Sequence, residues 1–281
     1  MSNYIIRNVR TLFNDRNTAR RYFHWIACKL IGVTPRANIG GIARIGYWKN
    51  FSEFNHYAGG IAPGECALIR NCLNKKAGNT IAFDVGANLG IFTCFMGRLG
   101  FNQIHAFEAV PETWVRLHGN IALNDLFKNV YSCCVALNEK TEFLQFELHA
   151  AAPGLNGLAL DTVSCDRRLI VPSVTLDEYC DRFDISRIHF MKIDVEGMEI
   201  YVLKGARKLL GKGCVDNILI EVCPRNLLKV GIKPADLFED LSNLGLIAYQ
   251  FDINGEVIRR FSKSDFESFS SENVLLRNGN T

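Results

Sequence analysis

Ile81-Ala82-Phe83-Asp84-Val85-Gly86-Ala87-Asn88-Leu89-Gly90-Ile91-Phe92-Thr93 is the stretch whose reading decides the fold. Its apolar start suits a strand buried on both faces of a parallel sheet. Gly86 and Gly90 then allow a tight turn into a helix, with backbone N–H groups facing a ligand. A nicotinamide or flavin fingerprint would read G-x-G-x-x-G after such a strand, with pyrophosphate on the helix N-terminus. Here the order is D-x-G-x-x-x-G. Asp84 would repel a pyrophosphate, yet it suits a ligand carrying an ammonium or sulfonium group.

Working outward, Ile91 to Leu99 reads as a crossover helix ended at Gly100, and Gln103 to Phe107 as a second strand that again stops at a carboxylate, Glu108. An acid about 20 residues beyond the glycine turn is placed to accept hydrogen bonds from both hydroxyls of an adenosine ribose. Pro111 fits the first turn of a helix to about Leu123, and Asn129 to Val135 makes a third strand. The fourth, Ile188 to Val195, carries Lys192, Asp194 and then Glu196 at alternate positions, hence on one face. A charge inside a central strand is costly unless paired, so Lys192 is expected to meet a neighbouring carboxylate. Gly197 turns into a helix, Met198 to Leu210, and the fifth strand, Ile218 to Glu221, ends in one more acid. Open α/β sheets bind ligands at the carboxyl ends of their strands, near the point where strand order reverses. Glu108, Asp84, Asp194 and Glu221 therefore predict an acidic crevice for a cationic cofactor with an adenosine end, S-adenosylmethionine (SAM).

Between Leu137 and Arg187 the chain is too long for a plain crossover, which predicts an inserted hairpin or pair of strands, about 138–175, suited to substrate choice. Leu176 to Phe183 reads as a helix capped by Thr175. The tail predicts a helix from Pro234 to Leu244 and a hairpin around Asn254-Gly255. A last strand, Asn273 to Arg277, is expected to close the sheet. Before the main domain, Ile5, Val9, Leu12 and Phe13, then Tyr22, Trp25, Ile26 and Leu30, recur at helical spacing among arginines. Two short amphipathic helices follow from this. Either they pack on the main domain with the arginines in water, or their basic face touches an anionic surface, a phosphorylated carrier or nucleic acid. Residues 38–63, rich in glycine and aromatics, read as a connector able to fold over the mouth of the domain.

With 281 residues, 48% hydrophobic and 22% charged, the chain suits one large α/β domain, 61–281, plus an extension, 1–60. Residues 1–50 hold nine Lys/Arg against Asp15, a balance of +8, so the rest of the chain carries −5 of the net +3. The apolar run Trp25 to Val33 is too short for a membrane span and no small-residue cleavage pattern follows it, so a cytoplasmic chain is expected, with a peripheral position on the inner membrane face open to the basic arm. The ten cysteines form no C-x-x-C pair and, with the six histidines, supply no clustered zinc ligands. Reduced thiols are expected.

Phe83-Asp84-Val85-Gly86-Ala87-Asn88-Leu89-Gly90, Phe107-Glu108-Ala109-Val110-Pro111, Thr175-Leu176-Asp177, Met191-Lys192-Ile193-Asp194-Val195-Glu196-Gly197-Met198-Glu199 and Val202-Leu203-Lys204-Gly205-Ala206 together resemble the FkbM-type SAM-dependent methyltransferases. The resemblance covers roughly 62–222. The K-x-D-V-E-G-x-E stretch is its most particular part. It implies an α/β fold of the class I methyltransferase (Rossmann-like) kind, with a mostly parallel seven-stranded sheet and an antiparallel last strand. It also implies O-methylation of a hydroxyl on a small-molecule, sugar, glycan or natural-product acceptor. Cofactor contacts are then expected from Asp84, Gly86, Ala87, Asn88, Gly90, Glu108, Ala109 and Ala136. An alcohol needs its proton removed during transfer, and Asp194 is the first choice for base or clamp, with Lys192 and Glu196 beside it and His149 of the insertion as a second base. A divalent cation held by Asp194, Glu196 and Glu199 is an alternative, as is Glu199 neutralising a helix N-terminus. The loop Ala151 to Leu160 departs from the serine-rich turn often found there. An Asp/Asn-Pro-Pro-aromatic or Pro-Cys motif for a flipped base is missing after Asp194, so sequence-specific nucleic acid is not expected. RNA ribose methylation and a non-catalytic SAM-binding module are the competing readings.

Overall fold

The computed structural model describes residues 16–75, 78–148, 157–158 and 167–279. Helix α1 (Arg16–Leu30) is followed by an antiparallel hairpin, β1 (Ala37–Ile39) and β2 (Ala43–Ile45), and by α2 (Phe51–Tyr57) and α3 (Pro63–Asn74). Two βα units come next: β3 (Ile81–Val85), α4 (Ile91–Leu99), β4 (Gln103–Phe107) and α5 (Pro111–Leu123), leading to β5 (Val130–Cys133). The insertion holds β6 (Ala136–Leu137), β7 (Glu142–Leu148), β8 (Gly157–Leu158) and β9 (Arg167–Val174), and α6 (Leu176–Arg182) returns to β10 (Phe190–Ile193). Then follow α7 (Glu199–Lys204), α8 (Arg207–Gly211), β11 (Ile218–Val222), α9 (Pro224–Lys229), α10 (Pro234–Asn243), β12 (Leu246–Phe251), β13 (Val257–Arg260), α11 (Lys263–Ser268) and β14 (Glu272–Asn278).

The main sheet runs β13-β12-β14-β11-β10-β3-β4-β5. Strands β5, β4, β3, β10 and β11 are parallel, and β14 joins β11 antiparallel. The seven-stranded sheet with its antiparallel last strand is thus present. The Asn254-Gly255 hairpin adds β13 as an eighth strand at the edge. Rather than closing the sheet, β14 inserts between β11 and β12, because it pairs with both. Strand order reverses between β3 and β10, so the tips carrying Asp84 and Asp194 stand side by side, with Glu108 and Glu221 one strand further out on each side.

Residues alternating along the strands bury both faces. Phe83, Phe107, Ile193 and Ile220 join one core with α6 and α7, whereas Ala82, Ile104, Phe190 and Leu219 join another with Phe95 and Met96 of α4. That second core also takes Ile39, Ile45, Trp48 and Phe54. Residues 38–63 are therefore a packed hairpin and helix rather than a loose connector, and full burial of each large side chain there stabilises by about 1.5–3 kcal/mol. The sequence periodicity of α1 reflects two apolar stripes: Trp25 and Cys28 face inward, while Phe23 and Leu30 are exposed. The first predicted amphipathic helix, Ile5 to Phe13, lies outside the described residues. Among the described residues no helix is long and apolar enough to cross a membrane. Nine of the cysteines are free, and Cys165 lies outside the described part.

The insertion is a four-stranded sheet of order β6-β9-β7-β8, with β7 and β9 antiparallel over their length. The strand expected over 129–135 ends at Cys133, because the chain then leaves the main sheet and pairs Ala136 and Leu137 with β9. The helix expected over 198–210 is broken into α7 and α8. Gly205 passes so close to the insertion that a Cβ on it would lie 2.1 Å from the Asn138 carbonyl oxygen. The second piece restarts on the Asp177 carboxylate, which accepts from the Lys208 and Leu209 N–H groups at 2.8 and 3.0 Å. Helices α9 and α11 escape the periodicity argument because both are only six residues long; α11 is capped by Ser262, whose Oγ accepts from the Asp265 N–H. Replacing Gly205 with Ala is expected to force these two segments apart and to destabilise the protein by about 2 kcal/mol, on the scale of overpacked sites, as read by urea denaturation.

Candidate functional site

A cavity of about 430 Å³ opens at the carboxyl ends of the parallel strands, within the size range of small-molecule sites. The β3–α4 turn and the tips of β4 and β10 form its floor. Ala136 of β6, Leu144 and Phe146 of β7, and His56 and Tyr57 of α2 form its walls. The aromatic segment before the main domain does reach the mouth: Tyr57 Oη accepts a 2.8 Å hydrogen bond from Asn88 Nδ2, and burial pushes its phenol up to about 12.

The turn itself differs from the expectation that its amides face a ligand. Gly86 N and Ala87 N both donate to the Phe107 carbonyl at 2.9 Å, Gly90 N donates to the Ala87 carbonyl, and Asn88 N donates to Glu108 Oε2 at 2.9 Å. Through Gly86, Ala87 and Asn88 the turn is a brace between β3 and β4. Gly86 has φ +76°, and a Cβ there would lie 1.9 Å from the Asp194 carbonyl oxygen. Only glycine lets the two strand tips approach this closely. Gly90 is not on the cavity wall. At φ +81° it begins α4, and a Cβ on it would strike Leu117 at 2.4 Å, so its demand comes from helix packing. Asp84, Gly86, Ala87, Asn88, Glu108, Ala109 and Ala136 all line the cavity.

Four carboxylates show what the crevice does to charge. Asp84 is buried and accepts from the Thr93 hydroxyl, and desolvation pushes it up to about 6 despite that bond and the nearby Lys192. Glu108 is buried and accepts from Val110 N and Asn88 N, yet desolvation pushes it up to about 7. Glu196, at φ +56°, accepts from Asn226 Nδ2 at 2.6 Å; burial, then Asp194 and Glu221, raise it to about 7. Glu199 is buried, with Oε1 accepting from Val195 N and Gly197 N at 3.1 and 3.2 Å, and burial raises it to about 7. Its carboxylate thus braces the turn between β10 and α7. Among the described residues no three His, Cys, Asp or Glu side chains are grouped to hold a metal ion.

Lys192 is buried in β10, its Nζ 3.5 Å from Asp194 Oδ2 and 5.5 Å from the centre of the Phe92 ring. Burial alone would lower it; the carboxylates of Asp194, Glu65, Glu221 and Asp84 outweigh that and hold it above the usual lysine value. The side chain of Asp194 is 39% exposed and faces the cavity, so it meets both the ammonium and the open space. His149 lies outside the described residues. Glu65 and Asn226 join the site without a local signal. Glu65 caps α3 through the Ala62 N–H at 3.1 Å, and Asn226 belongs to the short α9, so only the folded chain brings them here. As a group, these residues fit a ligand of net positive charge: buried carboxylates with raised values gain a counter-charge, and the volume is adequate.

The sequence profile of the methyltransferase FkbM domain matches residues 84–245. Hexuronic acid methyltransferase AglP of Haloferax volcanii is 27% identical over a stretch covering 65% of this chain and 70% of that protein. Methyltransferase sdnD of Sordaria araneosa is 29% identical, covering 45% of this chain and 60% of that one. The chain thus spans about 60 to 70% of the length of these relatives. Among solved structures, a SAM-dependent methyltransferase from Agrobacterium tumefaciens aligns with TM-score 0.50 at 9% identity, covering 87% of this chain and 69% of that one, which is a likeness of fold.

The raised carboxylates set a direction of pH dependence. Asp84, Glu108, Glu196 and Glu199 hold protons more tightly folded than unfolded, so their contribution to stability is fullest below the ordinary carboxylate range and is lost as pH rises through about 6 to 7. The ligand-free protein is expected to lose several degrees of Tm between pH 5 and 7.5 in scanning calorimetry. Asp84→Asn, which cannot ionise, should flatten part of that slope.

Proposed function

This chain belongs to the FkbM methyltransferase family and is a SAM-dependent methyltransferase, and from that premise we propose that it methylates a hydroxyl oxygen of a sugar, glycan or natural product. The observation that carries the reading is Asp194: it is fixed by Lys192, half-exposed, and turned to the same cavity that Asp84 and Glu108 line. The hexuronic acid named for the Haloferax relative supports a sugar as acceptor.

SAM, when bound, supplies an electrophilic methyl group on a sulfonium sulfur. Asp84 and Glu108 offer negative charge and acceptor oxygens at the two strand tips where an ammonium and ribose hydroxyls would lie. Each Glu108 oxygen already takes one backbone N–H, which fixes the carboxylate and leaves lone pairs directed elsewhere. Asp194 takes the acceptor hydroxyl as general base or clamp, and Lys192 is a positioning residue that holds its carboxylate from below. Bound SAM would give its methyl carbon to the acceptor oxygen, with the electrons of the broken carbon–sulfur bond left on sulfur, and Asp194 would take the hydroxyl proton. Alignment of oxygen with methyl is the larger part of the task. Leu144 and Phe146 of the insertion supply an apolar wall that keeps water from competing. His149 is the second candidate base.

Calorimetry with SAM tests the cofactor residues: Asp84→Ala and Glu108→Ala are each expected to weaken binding at least tenfold, and undiminished affinity in both would remove them from the cofactor site. Asp194→Asn should keep SAM affinity and lose about a hundredfold or more in turnover, in the range of general-base effects; full turnover of labelled methyl would exclude it from the mechanism.

A further inference from the structure

Helix α1 carries apolar side chains at helical spacing on two faces, and the fold uses one of them. Tyr22 meets Phe51 with ring centroids 5.0 Å apart, Trp25 meets Phe54 at 5.5 Å, and Arg21 donates to the Asn55 carbonyl at 3.1 Å, so this face is packed on α2. Phe23, Ile26, Ala27 and Leu30 stand at i, i+3, i+4 and i+7, which gathers them on the opposite face. All four are exposed, Phe23 at 72% and Leu30 at 82%, and Ile31 and Val33 extend the exposed apolar set past the helix end. Single exposed apolar residues are ordinary, whereas a contiguous set rimmed by polar groups marks a docking surface.

The charge around this face has one sign. From residue 16 to residue 52 the sequence holds seven lysines and arginines and no aspartate or glutamate. Arg20, at i−3 from Phe23 and i−7 from Ala27, shares their face, and Lys29 and Arg36 are exposed beside it. Phosphate groups with acyl chains beneath them match both features: the apolar stripe leaves water and the cations stay at headgroup depth. A nucleic acid would use the arginines but leave Phe23 and Leu30 in water. A second copy of the chain would set the same positive charge against itself across a two-fold contact.

We propose that the outer face of α1 docks the protein on an anionic phospholipid surface, with the helix lying in the interface plane. Because α1 is packed on α2, and α2 supplies His56 and Tyr57 to the cavity wall, docking fixes that wall relative to the bilayer. The test sediments the full chain with vesicles of equal parts phosphatidylcholine and phosphatidylglycerol, and with vesicles of phosphatidylcholine alone. Uptake is expected to be about tenfold or more higher on the anionic vesicles. The double variant Phe23→Ser, Leu30→Ser and, separately, Arg20→Glu should each lower that uptake about fivefold or more while Tm and SAM affinity hold. Equal uptake on the neutral vesicles, or unchanged uptake in the double variant, overturns the proposal. Absence of uptake also overturns it and reassigns the face: to a second copy if light scattering shows a dimer that the double variant splits, to another segment of the chain if the double variant lowers Tm, or to RNA if a poly(U) probe binds in a manner that needs Arg20 but neither Phe23 nor Leu30.

Discussion

The structure depends on one electrostatic constraint: parallel strands deliver several carboxylates into a desolvated crevice that holds a single buried ammonium. An isolated buried charge is too costly to keep, and Lys192 is kept because Asp194, Glu65, Glu221 and Asp84 surround it. The acids are kept by other means. Glu108 and Glu199 each accept two backbone N–H groups, Asp84 takes the Thr93 hydroxyl, and Glu196 takes the Asn226 amide. These bonds hold the carboxylates in place without cancelling the desolvation, which is why Asp84, Glu108, Glu196 and Glu199 all sit above their ordinary values. A cationic ligand supplies the counter-charge that the protein does not.

The geometry around that constraint is set by two glycines on neighbouring strand ends. Gly86, after β3, lies against the Asp194 carbonyl, and Gly197, after β10, lies against the backbone of Asn226 in α9; a Cβ on the latter would be 2.5 Å from the Asn226 oxygen. Both have positive φ. Side chains at either position would separate β3 from β10, or β10 from α9, and the acids that the turns carry would separate with them. Asp194 N donating to the Val85 carbonyl at 2.9 Å completes the contact between the two tips. The motif glycines thus set the spacing of the charges.

Much of this was legible in the chain because it is local. Strands β3 and β4 and helices α4 and α5 match their expected bounds, since apolar runs, Gly100 and Pro111 mark them within a few residues. The acids at four strand tips follow from the same reading. What the sequence hides is nonlocal. The inward bonding of the β3–α4 amides depends on Phe107 and Glu108 of another strand. The break after Lys204 depends on Asn138 of the insertion. Gly90 reads as part of a ligand loop, but its need for glycine comes from Leu117. Asn226 reaches Glu196 from a segment with no motif of its own, through the hydrogen bond to its carboxylate.

The same excess of acid bears on how a turnover ends. Methyl transfer converts a sulfonium into a neutral thioether, so the Coulomb attraction that the crevice exerts on its ligand falls at the chemical step. A weaker hold on the product therefore comes from burying these carboxylates without enough cations to match them. A crevice with an arginine for each acid would bind its cofactor less tightly and would lose the contrast between substrate and product.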